Sequence, residues 1–379
     1  AACALVVALI ILCFAEVSSR FEETGGPYLY ARETFQPAIA FEIGWLIWLA
    51  RVTAFAANCN LLINYLSFFW LSATTPLWRA LVIILIVTVL AIINLLGIRQ
   101  AAIFSNAFTI GKLVPIILFI AAGLFFLNPQ AYEPGATPST GDFSKSVLLL
   151  VYAFTGFEMA TIPAGEVRNP QRNLPQALLI AILIVATLYI LIQVVCVGTL
   201  PGLAESQKPL ADAGSQFLGA GGGAIISAGA MISISGNLNI LLLSGSRLPF
   251  AMAEQKQLPA VVGSIHRRFF TPYISILITA GVMLFLTLKS SFLEALTIST
   301  IARLVTYGAT CLAVPLFRAR KEAPPALFRL PGGTVIAILS LLLIVWLLLN
   351  STLKEAWAAT VAAAVGLAIY LAYWLFNRR

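Results

Sequence analysis

The stretch YAFTGFEMATIPAGEVRNPQRNLPQA, residues 152–177, decides the fold. Its first half completes an apolar run long enough for a membrane helix, yet it holds a Thr155-Gly156 pair, a carboxylate at Glu158 and a proline at Pro163. In hydrocarbon an opened helical turn costs several kcal/mol for each amide or carbonyl left without a partner. Non-helical backbone therefore persists only where it lines a cavity or meets a ligand. Gly156 is accordingly predicted to break the helix. One half-helix then presents free carbonyls and the next presents free amides, a pairing suited to the ammonium and carboxylate of a zwitterion at the bilayer midplane. Glu158, two residues on, reads as the only acidic residue deep in a span, and such residues are functional by default because their insertion is costly. The competing reading is a flexible kink in which Glu158 pairs structurally with Arg51 or Arg303.

Outward from this stretch the whole chain has the same solvent in mind. Of 379 residues 60% are apolar and only 10% charged, with a mean hydropathy of +0.96, which excludes a soluble core of this size. Eleven apolar segments are long enough to cross a hydrocarbon layer of ~30 Å as helices, at about 1–20, 38–66, 76–97, 104–127, 144–167, 174–199, 219–248, 271–288, 292–316, 333–350 and 355–376. Alternation with a period of two is absent, which disfavours a barrel. The expected fold class is an all-α polytopic membrane protein.

Basic residues give the orientation. With the first connection (Arg20, Arg32) placed inside, 15 of the 23 Lys and Arg residues fall on the cytoplasmic side, five outside, and Arg51, Lys112 and Arg303 within spans. The C-terminus is then cytoplasmic. The formal charge of +8 is spread by loop rather than gathered into a stripe, so it speaks for topology and attraction to a lipid leaflet and against nucleic acid. Cys3, Cys13, Cys59, Cys196 and Cys311 lie in apolar spans at unpaired spacing and read as small buried hydrophobes. The aspartates Asp142 and Asp212 and the single His266 fall in connections, so no acid-base or metal cluster, and no cofactor, is expected, and an intramembrane enzyme is disfavoured. ETGGPY (23–28) lacks the strand, lysine and helix order of a phosphate loop, and RNPQRNLP (168–175) reads as a proline-punctuated turn in which Pro175 begins the next helix.

Five ordered stretches resemble the amino acid-polyamine-organocation transporters over essentially the whole chain. FAEVSSRFEETGGPYLYARETF (14–35) is similar to the end of that family's second helix and the loop after it, and GWLIWLARVTAFAANCNLLINYL (44–66) to its third helix. FTGFEMATIPAGEVRNPQRNLPQA (154–177) resembles the discontinuous sixth helix, SRLPFAMAEQKQLPAVVGSIHRRFFTP (246–272) the end of the eighth and its loop, and STIARLVTYGATCLAVPLFRAR (299–320) the tenth.

The resemblance implies a leucine-transporter-like fold of two inverted five-helix repeats plus two further helices, with substrate held between the broken first and sixth helices. On that scheme 1–127 holds the remainder of the first repeat, 144–316 the second repeat and 333–376 the two additional helices. Residue 1 then already lies in the second helix, so eleven spans of an expected twelve are present. The fifth and seventh spans should border an open groove where the first helix would pack, and the chain in this form is not expected to transport.

The implied activity is secondary active transport of an amino acid, coupled to protons as a symport, in a bacterial inner membrane. The absence of an acidic pocket for a cationic side chain favours neutral amino acids. An amino acid or polyamine exchanger of the same fold is the alternative, and a non-transporting scaffold stands behind both. By resemblance, substrate is contacted at Thr155, Gly156, Phe157 and Glu158, with Phe55, Asn58, Thr297 and Ser299 lining the side-chain pocket, and Phe157 a candidate gate; helix packing alone would also explain the four lining residues. Proton-driven members carry a lysine at the position of Lys112, where its ammonium stands in for a sodium ion. Lys112, Ser235 as its partner on the seventh span and Glu158 are therefore the coupling candidates, although Lys112 lies close enough to the cytoplasmic end to snorkel. The implied partners are the amino acid substrate, protons and the lipid bilayer, with the last two helices offered as a homodimer surface.

Overall fold

The computed structural model describes residues 2–23, 25–96, 113–133, 139–162, 164 and 167–377. Lys112 lies outside these residues. The chain forms α1 (Ala2–Ser18), α2 (Gly26–Thr34), α3 (Pro37–Leu66), α4 (Pro76–Leu96), α5 (Leu113–Phe126), α6 (Thr140–Val151), α7 (Phe157–Ala160), α8 (Pro170–Thr199), α9 (Pro209–Glu254), α10 (Tyr273–Lys289), α11 (Phe292–Ala319), α12 (Gly333–Leu349) and α13 (Leu353–Asn377), with no strand among the described residues. Seven segments, with α6 and α7 counted as one, are long and apolar enough to cross a membrane. Four shorter apolar helices, α1, α5, α10 and α12, occupy others of the expected spans.

Local chemistry sets the helix ends. Proline opens α3, α4, α8 and α9, where its missing N–H falls among groups without an intrahelical partner and its fixed φ suits the first turn. Ser139 caps α6 by accepting from the Asp142 amide, and Ser291 with Glu294 forms a capping box on α11. The start of α8 differs from expectation. It begins at Pro170, and Pro175 lies inside it, because the earlier proline already occupies the first helical position. The segment expected at 219–248 is likewise longer: α9 runs from Pro209 with a break in helical geometry at Gly219 (φ 67°).

α3 is the axis of the bundle. In its apolar window 83% of residues are buried, against 67% for α11, 11% for α8 and 6% for α13. α3 packs most extensively on α11 and α9, then on α10, α2 and α13. Polarity follows the packing: Arg51, Thr53 and Asn60 on α3 and Ser299, Thr300, Arg303, Thr306 and Thr310 on α11 are buried, while α4 and α8 turn Leu81, Leu85, Ile180 and Leu183 outward. Inward polarity and outward leucine are what a hydrocarbon solvent requires, since a polar side chain there must find its partner inside the protein.

The stretch read as a simple loop at 23–28 instead leads into α2, because the glycines permit a tight approach. Gly25 and Gly26 adopt φ of 150° and 54°, the Gly25 amide donates to Ile162 O at 2.9 Å, and a Cβ on Gly26 would come within 2.9 Å of Ile162. α2 is thereby seated against the segment that follows the broken helix. At the same end Glu16, fully buried at the last turn of α1, accepts from Arg318 Nε (2.8 Å), Arg20 Nη2 (3.2 Å) and the Leu330 amide (3.0 Å). Arg20 donates onward to Pro324 O, and Arg320 to Glu33 O and Thr34 O, strapping the 320–332 connection across α1 and α2. Glu16 sits near the end of its span, where sequence alone does not set it apart from an acid in a connection. At the opposite end of α3, Arg79 donates to Asn60 Oδ1 (2.6 Å) and to Thr287 O and Ser290 O, joining α4, α3 and α10.

Candidate functional site

The helix that begins as α6 ends at Val151, tightens through a 3-10 turn at Tyr152–Phe154 and leaves helical geometry at Thr155 (φ −72°, ψ 158°). Gly156 follows in the left-handed region (φ 111°, ψ −17°), where a residue with a side chain would be strained, and α7 starts at Phe157. A Cβ added at Gly156 would meet no atom within 4 Å, so the backbone at the break faces open space. Thr155 Oγ1 donates to Tyr152 O (2.7 Å), satisfying one carbonyl released by the break.

Glu158, 4% exposed, is held from three sides. Its Oε1 pairs with Arg303 Nη1, and its Oε2 accepts from Tyr307 Oη (2.8 Å) and from the Gly156 amide (2.9 Å). One amide reaches it, and the main partners are side chains of α11, because a four-residue helix offers too few free amides and α11 presents a cation at the same depth. Of the two arginines suggested as partners, Arg303 makes the contact. Arg51 on α3 lies within electrostatic range of Glu158, Arg303 and Tyr307 but makes no hydrogen bond to any of them. Phe157, next to Glu158 in sequence, packs on Phe14 (centroids 5.1 Å, 85°) and on Tyr307 (5.0 Å, 42°).

Several of the other expected site residues gather here. Asn58 Nδ2 donates to Tyr152 Oη (2.6 Å) at the last turn before the break. Ser299 donates to Ala50 O (2.8 Å) and receives Arg303 Nε at 3.4 Å, so it steadies the guanidinium. Phe55 and Thr297 stand apart. Phe55 is fully enclosed among Trp48, Val52 and Cys59, and Thr297 donates to Leu293 O within its own helix. Ser235 is half-buried on α9.

Tyr307, Tyr152 and the stabilising Arg303–Ser299 contact were not read as site features. The signal lies in the spacing: Ser299, Arg303 and Tyr307 recur every four residues and make one polar stripe along α11. A separate cavity of about 320 Å³ opens between α3, α5, α8 and α9, lined by Leu61, Tyr65, Phe119, Tyr189, Ile226 and Ser233 among others. It adjoins the seventh expected span but has no lining residue from the fifth, to which it connects through Tyr189 Oη donating to Ala153 O (2.7 Å).

An apolar span opened at glycine, with its buried carboxylate paired across the bundle, joins a match of residues 1–371 to the amino acid permease family. The chain belongs to that family. The permease is 28% identical over 397 residues to the methylthioribose transporter of Bacillus subtilis (strain 168), covering 97% of this chain and 83% of the relative. It is 27% identical to the serine/threonine exchanger SteT of the same organism (97% and 85%) and 25% identical to its branched-chain amino acid permease BcaP (99% and 84%). These relatives and the family are transporters, not enzymes, and the permease is an integral membrane protein.

Proposed function

We propose that the permease is a secondary active transporter that carries neutral amino acids by alternating access, in symport with protons. The observation that carries this reading is the break at Thr155–Gly156 inside an apolar span, facing open space beside a buried, paired carboxylate. Open backbone at that depth is sustained when a ligand's charged groups complete it. Thr155, Gly156, Phe157 and Glu158 form the substrate seat in this scheme, Asn58 and Ser299 support it through Tyr152 and Arg303, and Phe55 and Thr297 shape the packed wall behind it. The names of two relatives, for serine and threonine and for branched-chain amino acids, support a neutral substrate. Lys112 carries the proton, with Ser235 as its partner and Glu158 remaining ionised. The repeats at 1–127 and 144–316 move against each other, while 333–376 adds two helices whose outer surfaces suit a second copy. The placement is a bacterial inner membrane with the C-terminus inside.

Exchange is the second reading, favoured by the relative that is itself an exchanger. Uptake of labelled serine and leucine into liposomes containing the purified full-length protein separates the two. Symport requires accumulation driven by external acid into vesicles empty of amino acid. Uptake that appears only when the lumen is loaded with amino acid establishes exchange, and no uptake under either condition overturns the transporter reading.

A further inference from the structure

The turn between α9 and α10 holds a bulky residue in a conformation that its side chain disfavours. Phe270 adopts φ 53°, in the left-handed region, and is the only aromatic residue to do so among the described residues. Glycine would occupy this position without strain, whereas a phenylalanine there is an outlier of the kind that collects at functional sites. The turn is held by its own hydrogen bonds. The His266 amide donates to Thr271 O and the Phe270 amide to His266 O, each at 2.9 Å, and His266 Nδ1 accepts from the amides of Arg268 (3.2 Å) and Phe269 (3.3 Å). The imidazole stacks on Phe269 (centroids 4.9 Å, 26°). Phe270 itself is left 81% exposed, and Val261 and Ile265 of the same connection are exposed with it. Large apolar side chains grouped in the open on an ordered turn mark an interaction surface.

Charge and depth together say what covers this surface. Residues 255–272 carry Lys256, Arg267 and Arg268 and no acid. Both arginines are exposed, neither forms an ion pair among the described residues, and the Arg268 guanidinium lies over the Phe269 ring at 5.4 Å. The turn is also tied to the end of a lipid-facing helix, since Thr271 Oγ1 donates to Leu95 O (2.9 Å) in the last turn of α4, where Leu96 is exposed. α10 begins at Tyr273, three residues after Phe270, and turns Leu277 and Ile278 outward. Residues that close to the start of an apolar span lie at headgroup level, where aromatic rings and basic side chains concentrate.

We propose that the 264–271 turn is a docking element for anionic phospholipid, with the Phe270 ring at the boundary of headgroups and acyl chains and Arg267 and Arg268 on lipid phosphate. The reading is independent of what the permease carries. A guanidinium matches two phosphate oxygens at once, and a buried ring beside it adds the apolar contact that charge alone lacks. Because the turn is already ordered by His266, little conformational freedom is lost when lipid binds. The strained Phe270 thereby ties the ends of α4 and α10 to the composition of the leaflet around them.

The test uses the purified full chain in lipid nanodiscs. All five native cysteines are buried, so Ile265→Cys, or Val261→Cys in a second preparation, supplies one accessible thiol on the turn for a fluorophore. Its quenching is read with phosphatidylglycerol brominated in its chains, with phosphatidylcholine brominated in the same way, and with aqueous iodide. Brominated lipid should quench the label and iodide should reach it poorly. Phosphatidylglycerol should be enriched at the turn at least about fivefold over phosphatidylcholine at low salt, the gain of one arginine at an anionic surface, and the enrichment should fall as salt rises. Arg267→Gln combined with Arg268→Gln should bring the two lipids to equal quenching. Phe270→Gly should lower quenching by both lipids and open the label to iodide while leaving thermal stability unchanged or raised, because it removes the strained side chain; a phenylalanine that served packing alone would lower stability instead. Equal quenching by the two lipids in the otherwise native turn, an enrichment that survives loss of both arginines, or lipid quenching that Phe270→Gly leaves unchanged overturns the proposal. So does a label open to iodide and untouched by lipid. A label shielded from lipid and iodide alike shows a protein partner on the turn and overturns it too. Should a variant fail to fold, the lipid ratio and its salt dependence in the otherwise native turn decide.

Discussion

Glu158→Ala is expected to lower the free energy of unfolding by about 3–5 kcal/mol, the loss that follows removal of one partner from a buried ion pair. The carboxylate is the only acid among the described residues in contact with Arg303, and it also receives the Tyr307 hydroxyl and the Gly156 amide. Its loss leaves two buried guanidiniums facing each other with no counter-charge and strands a hydroxyl and an amide. Glu158→Gln keeps the shape and an acceptor and should lose less. The combined Glu158→Met and Arg303→Met protein should recover most of the deficit, since apolar groups of similar volume replace a buried pair at little cost. Denaturant unfolding in detergent of wild type, Glu158→Met, Arg303→Met and the double variant gives the coupling between the two positions. Additive losses would show that the pair does not act as a unit.

Lys112→Ala is expected to reduce gradient-driven accumulation of substrate at least about tenfold while leaving substrate binding measurable, the behaviour of a residue that links two fluxes rather than one that holds the ligand. Lys112 falls within the fourth apolar segment of the sequence, in SNAFTIGKLVPIILF, and a lysine ammonium, unlike a guanidinium, can load and release a proton. Glu158 is tied to Arg303 in a charged hydrogen-bonded pair, so Glu158→Gln should weaken binding or gating yet retain some dependence on the proton gradient. The measurement is uptake into liposomes under an imposed pH gradient. Undiminished accumulation by Lys112→Ala in response to external acid would make the lysine a snorkelling anchor and remove it from the coupling scheme.

The class of the protein was readable because hydrocarbon leaves so few solutions: apolar runs of span length must be helices, and a glycine beside a carboxylate inside one of them must open or be paired. Gly156 did both, opening the helix and lending its amide to Glu158. What composition could not reveal was which distant polar residue would reach the break. Arg51 and Arg303 are equivalent in sequence, each a single cation in an apolar span, and only the packing of α3 on α11 brings Arg303 into contact while leaving Arg51 without an acceptor. Tyr307 reads as an ordinary filler until its hydroxyl is seen on the carboxylate. Phe55 is enclosed by the core, where one helix face buries aromatic groups for packing as readily as for binding, so its type alone does not distinguish the two. α2 was missed because GGPY resembles a turn, and the two glycines serve instead to let a short helix approach Ile162.

The central claim is that substrate occupies the break. All five native cysteines are free and buried, so Thr155→Cys supplies a single accessible thiol at the half-buried turn beside Gly156. Its alkylation by N-ethylmaleimide in reconstituted protein measures occupancy of the site directly. The account predicts that a saturating transported amino acid slows the reaction at least about tenfold, as expected when a ligand is bound far above its dissociation constant. An alkylation rate unchanged by an amino acid that the same vesicles take up would place the substrate elsewhere and contradict the account.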